Sequence, residues 1–320
     1  MKFDTLLFGN GLSLSMMDNI GDDMPFDSFN NFLYEFLLME NHKAIKNKFY
    51  RIIKSNKRSR VYIEDSEILE IEDFLLTNID EINKNGYEVW ISLKILNDDK
   101  IKQYTLYYYA LYNYWFCLNS SFFNASQFKN IAKNYAHRIQ NLGIKQVYTL
   151  NYDTYLDDYI NVKHIHGKFL AKFNNMDELV ALFIGDKFYY RICIGTSGFE
   201  KHSGLDLLHR KNNPYYDFDF IYNNEIYYGD VLIYGIRFAK ASIMNLEPVK
   251  SKYNDVDASY LSSVDGHILL RLDGLYNQGK IKSITIAYYR EDEIEKYKEL
   301  LKYRNIYKIT NFIEAKKVFK

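Results

Sequence analysis

Cysteine is nearly absent. Cys117 and Cys193 are the only two in 320 residues, so neither a disulfide framework nor a CxxC zinc site can be assembled, and a reducing cytoplasm is the expected compartment. A charge excess is missing as well: 41 basic residues balance 41 acidic ones, so nothing in the net charge indicates a nucleic-acid partner or an anionic membrane surface. Glycine and proline number only 15 and 3, about half the roughly 12% the pair usually supplies, so each glycine carries more information than usual. Long apolar runs are also lacking. The opening run Leu6-Leu7-Phe8 is too short for a secretory signal core. The charge-free stretch between Lys102 and Lys129 is broken by Asn113, Asn119, Ser120, Ser121 and Asn124. A transmembrane span needs about 20 mainly apolar residues, so a buried or interface helix is expected there instead.

What is present is a globular composition, 48% apolar and 26% charged, with ample material for a core. The abundance of Lys, Asn, Ile, Tyr and Phe follows AT-rich codon usage, pointing to a bacterial or phage genome. A chain of 320 residues fits two domains, or one α/β domain with an insertion. The second is favoured: a single domain over 1–320 with a helical elaboration over about 20–145.

The run LLFG ahead of Gly9-Asn10-Gly11 has the shape of a buried strand entering a tight turn. Helical apolar spacing follows from Phe26 to about Ile53, with Pro25 at its first turn, and further helices are expected through residue 145. The basic cluster Lys54, Lys57, Arg58 and Arg60 reads as a solvated loop. Strand signals return at 147–150, 162–166, 190–195, 229–235 and 283–289, as short runs of β-branched and aromatic residues. Several are continuously apolar, as parallel strands covered on both faces must be. Helical patterns at 258–277 and 291–304 separate or follow them, and Asn311 with Glu314 has the spacing of a capping box for a last helix. Strands alternating with helices predict an α/β fold with a doubly wound, mainly parallel, Rossmann-like sheet.

Four strand ends carry residues suited to chemistry. Gly9-Asn10-Gly11-Leu12-Ser13 allows close backbone approach to a pyrophosphate, with Ser13 as a donor, although a bare turn explains the glycines equally. Thr149-Leu150-Asn151-Tyr152-Asp153 places an amide and a carboxylate at a strand's C-terminal end, or else caps a helix starting near Thr154. In His164-Ile165-His166-Gly167 the alternation puts both imidazoles on one face; a metal pair lacks a carboxylate partner at familiar spacing, and ordinary core or surface histidines are the alternative. Gly195-Thr196-Ser197 is another hydroxyl-bearing turn, Gly235 closes LIYG, and Asp265-Gly266-His267 opens a helical pattern. The triplet Asp217-Phe218-Asp219 leaves a metal-dependent glycosyl- or nucleotidyl-transferase as a further reading.

Taken in order, the glycine turn with Ser13, Thr149 to Asp153, His166-Gly167 and Gly195 to Ser197 resemble the motif series of the SIR2-like (sirtuin) superfamily. The resemblance is strongest to its members in bacterial antiphage defence and to the related AbiH-type proteins; residues 20–145 are unmatched. The glycine loop reads GNG where sirtuin deacylases have GAG, and the paired CxxC of their zinc module is missing. The resemblance therefore implies hydrolysis of NAD⁺, the substrate, without a metal, in preference to deacylation. By the same resemblance Gly9, Gly11 and Ser13 cradle the diphosphate, and Gly195 and Ser197 hold the adenosine side, with Asn10, Thr196 and Gly235 in the binding set. Asp153 orients the carboxamide, Asn151 positions water, and His166 bonds the ribose hydroxyls and acts as a base. The expected setting is a cytoplasmic bacterial effector gated by self-assembly or a partner defence protein, with Tyr104–Phe128 as a contact surface or a core helix. A catalytically silent NAD- or nucleotide-binding sensor or scaffold is the alternative.

Overall fold

Four consecutive buried residues cannot belong to a strand that faces water on one side, so the chain's opening segment has to sit between two layers. The computed structural model describes residues 2–19, 29–38, 43–55, 64–85, 87, 90, 98–119, 125–151, 153–164, 228–236, 238, 266–302 and 304–320. There β1 (Thr5–Phe8) is buried along its whole length. The helices α1 (Asn10–Met17), α2 (Phe29–Leu38), α3 (Lys43–Ser55), α4 (Asp65–Thr77), α5 (Ile79–Asn85), α6 (Asp98–Leu118) and α7 (Ser126–Asn141) follow. The remaining elements are β2 (Gln146–Thr149), β3 (Val162–His164), β4 (Gly229–Tyr234), α8 (Gly266–Asn277), β5 (Ile281–Tyr288), α9 (Glu291–Leu301) and β6 (Thr310–Glu314).

The six described strands form one sheet in the order β3-β2-β1-β4-β5-β6, and every pairing among them is parallel. This is the 3-2-1-4-5-6 order of Rossmann-like folds, in which the strand order reverses beside β1. Register explains why the runs are apolar throughout. Leu6 lies beside Val147 and Leu232, and Leu7 beside Tyr148 and Ile233. The first set joins the core on one face with the helices α1 to α7, and the second joins the other core with α8 and α9. Each strand thus supplies both layers by alternation.

The expected strands at 147–150, 229–235 and 283–289 are β2, β4 and β5, and β3 starts the one at 162–166. That at 190–195 lies outside the described residues. The helical pattern from Phe26 is two helices, α2 and α3. The capping box at Asn311 and Glu314 is overturned: Thr310–Glu314 is the edge strand β6, with Asn311 beside Thr285 and Glu314 beside Tyr288. An Asn-x-x-Glu spacing also suits an edge strand, and pairing with β5 outweighs the local cap signal. Only a short 3-10 turn over Ala315–Lys317 follows it.

The aromatic segment is a core helix. Tyr104, Tyr107, Tyr108, Ala110, Leu111, Tyr114, Trp115 and Phe116 of α6 are all buried, and they pack in one cluster with α2, α3 and α7. An outer contact surface there is therefore corrected for these residues. Tyr107 meets Phe49 edge-on at 5.4 Å, and Phe49 meets Phe36 likewise at 5.5 Å, the arrangement aromatic quadrupoles prefer. No described helix is long and apolar enough to cross a membrane.

Candidate functional site

In an open parallel sheet, ligands bind beyond the carboxyl ends of the strands, where the order reverses. Here that point is the gap between β1 and β4, flanked by Gly9 to Ser13 on one side and Gly235 on the other. The two turns touch backbone to backbone. Gly9 N–H donates to the Tyr234 carbonyl at 3.0 Å and Gly11 N–H to the Gly235 carbonyl at 3.1 Å. Gly235 has φ +66°, and a methyl on Gly11 would sit 2.5 Å from its Cα. Glycine is required at both positions by contact distance, and at Gly235 also by the left-handed backbone.

On the β2 side, the turn brings together residues 138 to 140 positions apart. Asn151, buried at the end of β2, donates its amide to Ser13 Oγ at 2.8 Å and to Asp153 Oδ2 at 3.1 Å. Ser13 in turn donates its hydroxyl to the same Asp153 oxygen at 2.8 Å. The Asn151 backbone N–H is held by Thr149 Oγ1 at 3.0 Å, and Thr149 is anchored on the Phe8 carbonyl. Burial pushes the Asp153 carboxyl above its ordinary value, opposed by the Ser13 hydroxyl, the charge of His164, the Tyr155 N–H and the Asn151 amide. The helical layer forms one wall: Tyr112 of α6 and Tyr155 both have their phenols pushed up, by burial first and then by the charge of Asp153. The residues after Asp153 form hydrogen-bonded turns, Asp157 N–H to the Thr154 carbonyl at 3.2 Å, and no helix for Asn151 and Asp153 to cap.

Of the residues singled out in the sequence, Gly9, Gly11, Ser13, Asn151, Asp153 and Gly235 therefore meet at one edge. Asn10 opens α1 and is exposed. His166, Gly167, Gly195, Thr196, Ser197, Asp217, Asp219, Asp265 and the cluster Lys57, Arg58 and Arg60 lie outside the described residues. His164 is described, and it does something the motif reading gave it no part in: Nδ1 is 2.9 Å from the Asn151 carbonyl and Nε2 is 3.0 Å from Asp157 Oδ1. Among the described residues no group of three or more His, Cys, Asp and Glu converges as a metal site.

A second set was not anticipated. Tyr289, just past β5, donates its hydroxyl to the Gly11 carbonyl at 2.7 Å and lies 3.0 Å from Ser15 Oγ. Ser15 also donates to the Gly11 carbonyl, at 2.9 Å. The doublet Tyr288-Tyr289 was the available signal, but a partner 278 residues away is invisible along the chain. Comparison of the chain with family models, with curated proteins and with solved structures gave no match.

Proposed function

We propose that the chain is an NAD⁺ glycohydrolase of the sirtuin-like kind. The observation that carries the reading is the Ser13–Asn151–Asp153 cluster at the carboxyl ends of β1 and β2, beside the switch point of a Rossmann-ordered sheet. In the reaction a water oxygen bonds to C1′ of the nicotinamide ribose as the bond from C1′ to the ring nitrogen breaks. That bond's electron pair leaves with nicotinamide, and the water's proton is released, giving ADP-ribose. Nicotinamide departs neutral from a cationic ring, so no strong acid is required. The protein's task is to place water and to stabilise an oxocarbenium-like transition state. A neutral amide, Asn151, suits the first part, a carboxyl, Asp153, suits recognition of the carboxamide, and His166 is assigned the ribose hydroxyls and the base.

Unregulated NAD⁺ hydrolysis would exhaust the cell that makes the enzyme, so activity is assigned to an effector of antiphage abortive infection, cytoplasmic and gated by assembly or a partner. One observation favours the second reading, a silent NAD-binding sensor or scaffold. The Asn151 amide and the Ser13 hydroxyl are both directed at Asp153, and the Gly11 N–H at Gly235, so these donors must change partners before they meet a ligand. Nicotinamide release by the purified chain separates the two, measured alone and with lysate of phage-infected cells. Asn151→Ala and His166→Ala are expected to reduce release by at least about a hundredfold. Binding of NAD⁺ with no release in any condition selects the sensor, and neither binding nor release removes both readings.

A further inference from the structure

Asn151 sits one residue beyond the last ladder hydrogen bond of its strand, which runs from Leu150 N–H to the Phe8 carbonyl at 3.0 Å. Past that point no ladder hydrogen bond among the described residues fixes the backbone that carries the amide. Two side chains replace the ladder. Thr149 accepts the Asn151 N–H, and on the other side the His164 ring reaches the Asn151 carbonyl at 2.9 Å. The parallel register that sets His164 beside Thr149 makes this reach possible. A carbonyl oxygen only accepts, so His164 Nδ1 carries a proton and donates it. The opposite nitrogen faces the Asp157 carboxylate at 3.0 Å, a second acceptor. Both ring nitrogens thus face an acceptor. The His164 side chain is 6% exposed and that of Asp157 17%, so solvent has little part in the link.

We propose that His164 is a positioning residue: anchored by Asp157, it clamps the Asn151 carbonyl and thereby holds the Asn151 amide on Ser13 and Asp153. The chain of contacts runs from Asp157 through His164 and Asn151 to Ser13 without a break in hydrogen-bond distance. Its catalytic consequence rests on the reading of Asn151 as the group that places water, but the clamp itself does not.

The test follows the Asn151 side-chain amide by hydrogen exchange in the full chain labelled with ¹⁵N-asparagine, the signal being assigned by its loss in Asn151→Ser. His164→Leu is expected to speed that exchange by at least about tenfold, while His164→Asn, which still presents an amide donor to the carbonyl, retains most of the protection. Asp157→Ala is expected to act like His164→Leu, and Asp157→Asn, which can still pair with the ring, like the wild type. It is the more exposed partner, and it decides the question should His164→Leu fail to fold. Exchange unchanged in either disruptive variant, or equally fast in His164→Asn and His164→Leu, overturns the clamp. In nicotinamide release His164→Leu and Asp157→Ala are expected to lower kcat about tenfold or more with KM within about twofold, and His164→Asn and Asp157→Asn to stay near the wild type. A wild type that releases no nicotinamide counts against the hydrolase reading alone, since the exchange measurement still decides the role of His164.

Discussion

The glycines at the switch point are held by distances no side chain can satisfy. A methyl on Gly11 would lie 2.5 Å from Gly235 Cα and 2.9 Å from the Tyr289 hydroxyl, and one on Gly235 2.6 Å from Gly11 Cα. Backbone cannot rotate away as a side chain can, so Gly11→Ala is expected to cost about 1–3 kcal/mol by overpacking. Gly235→Ala is expected to cost more, because its left-handed φ adds about 1–2 kcal/mol. Urea unfolding midpoints check both. Asp153 makes a prediction with a sign. Its carboxyl is raised above the ordinary 3.8 by burial, so the folded chain holds that proton more tightly than the unfolded one. The stability this contributes is fully present below 3.8 and is lost as pH rises through the higher folded value. Asp153→Asn removes the titration and is expected to gain in stability relative to the wild type from acid to neutral pH. A pH series of thermal midpoints with a flat difference between the two would contradict this.

At the scale of elements, the helical layer is tied by one buried carboxylate. Glu72 stands on the apolar stripe of α4 among Ile68, Ile71 and Leu75. It pairs with Lys46 of α3 at 2.7 Å, accepts from Tyr50 at 2.6 Å, and accepts a short hydrogen bond from Tyr107 of α6. Both phenols are pushed up, by burial first and by Glu72 next. Glu72→Ala removes the carboxylate that faces the Lys46 ammonium and is expected to cost about 3–5 kcal/mol; Glu72→Gln, which keeps an acceptor, should cost less by the same denaturation measurement. This glutamate was not singled out in the sequence, and its three partners depend on which helices become neighbours. The same limit explains β6. In Thr310–Glu314 the local chemistry of a cap and the pairing chemistry of an edge strand coincide, and only the neighbour β5 decides between them. Strands such as Val231-Leu232-Ile233 were legible because burial on both faces leaves no other composition available.

Over the whole molecule, the two cores are joined through β1, β2, β4 and β5, and the far end of the chain closes the helical one. Phe319 lies 4.8 Å from Tyr234 of β4 and 5.8 Å from Tyr135 of α7, ring centre to ring centre, and is 6% exposed. Phe319→Ala is expected to lower stability by about 3–5 kcal/mol, read by denaturant unfolding, and to loosen Tyr234 beside the switch point. The sequence carried the α/β class and the meeting of Ser13 with Asn151 and Asp153 because strand ends in a parallel sheet share one edge, whichever way the intervening residues are folded. It did not carry the Tyr289 hydroxyl or the His164 clamp, since both depend on which strands become neighbours.

The central position of β1 has a consequence for how the protein is made. Thr149 reaches Phe8 across 141 positions, and Asp230 reaches Asp4 across 226. At translation rates of about 5–20 residues per second, roughly 10–50 s separate the emergence of β1 from that of its second neighbour. Through that interval Leu6, Leu7 and Phe8 are an apolar strand with at least one edge open, the kind of segment a holding chaperone binds. The glycine turn, although synthesised well before Gly235, takes its final shape only after Gly235 has left the ribosome.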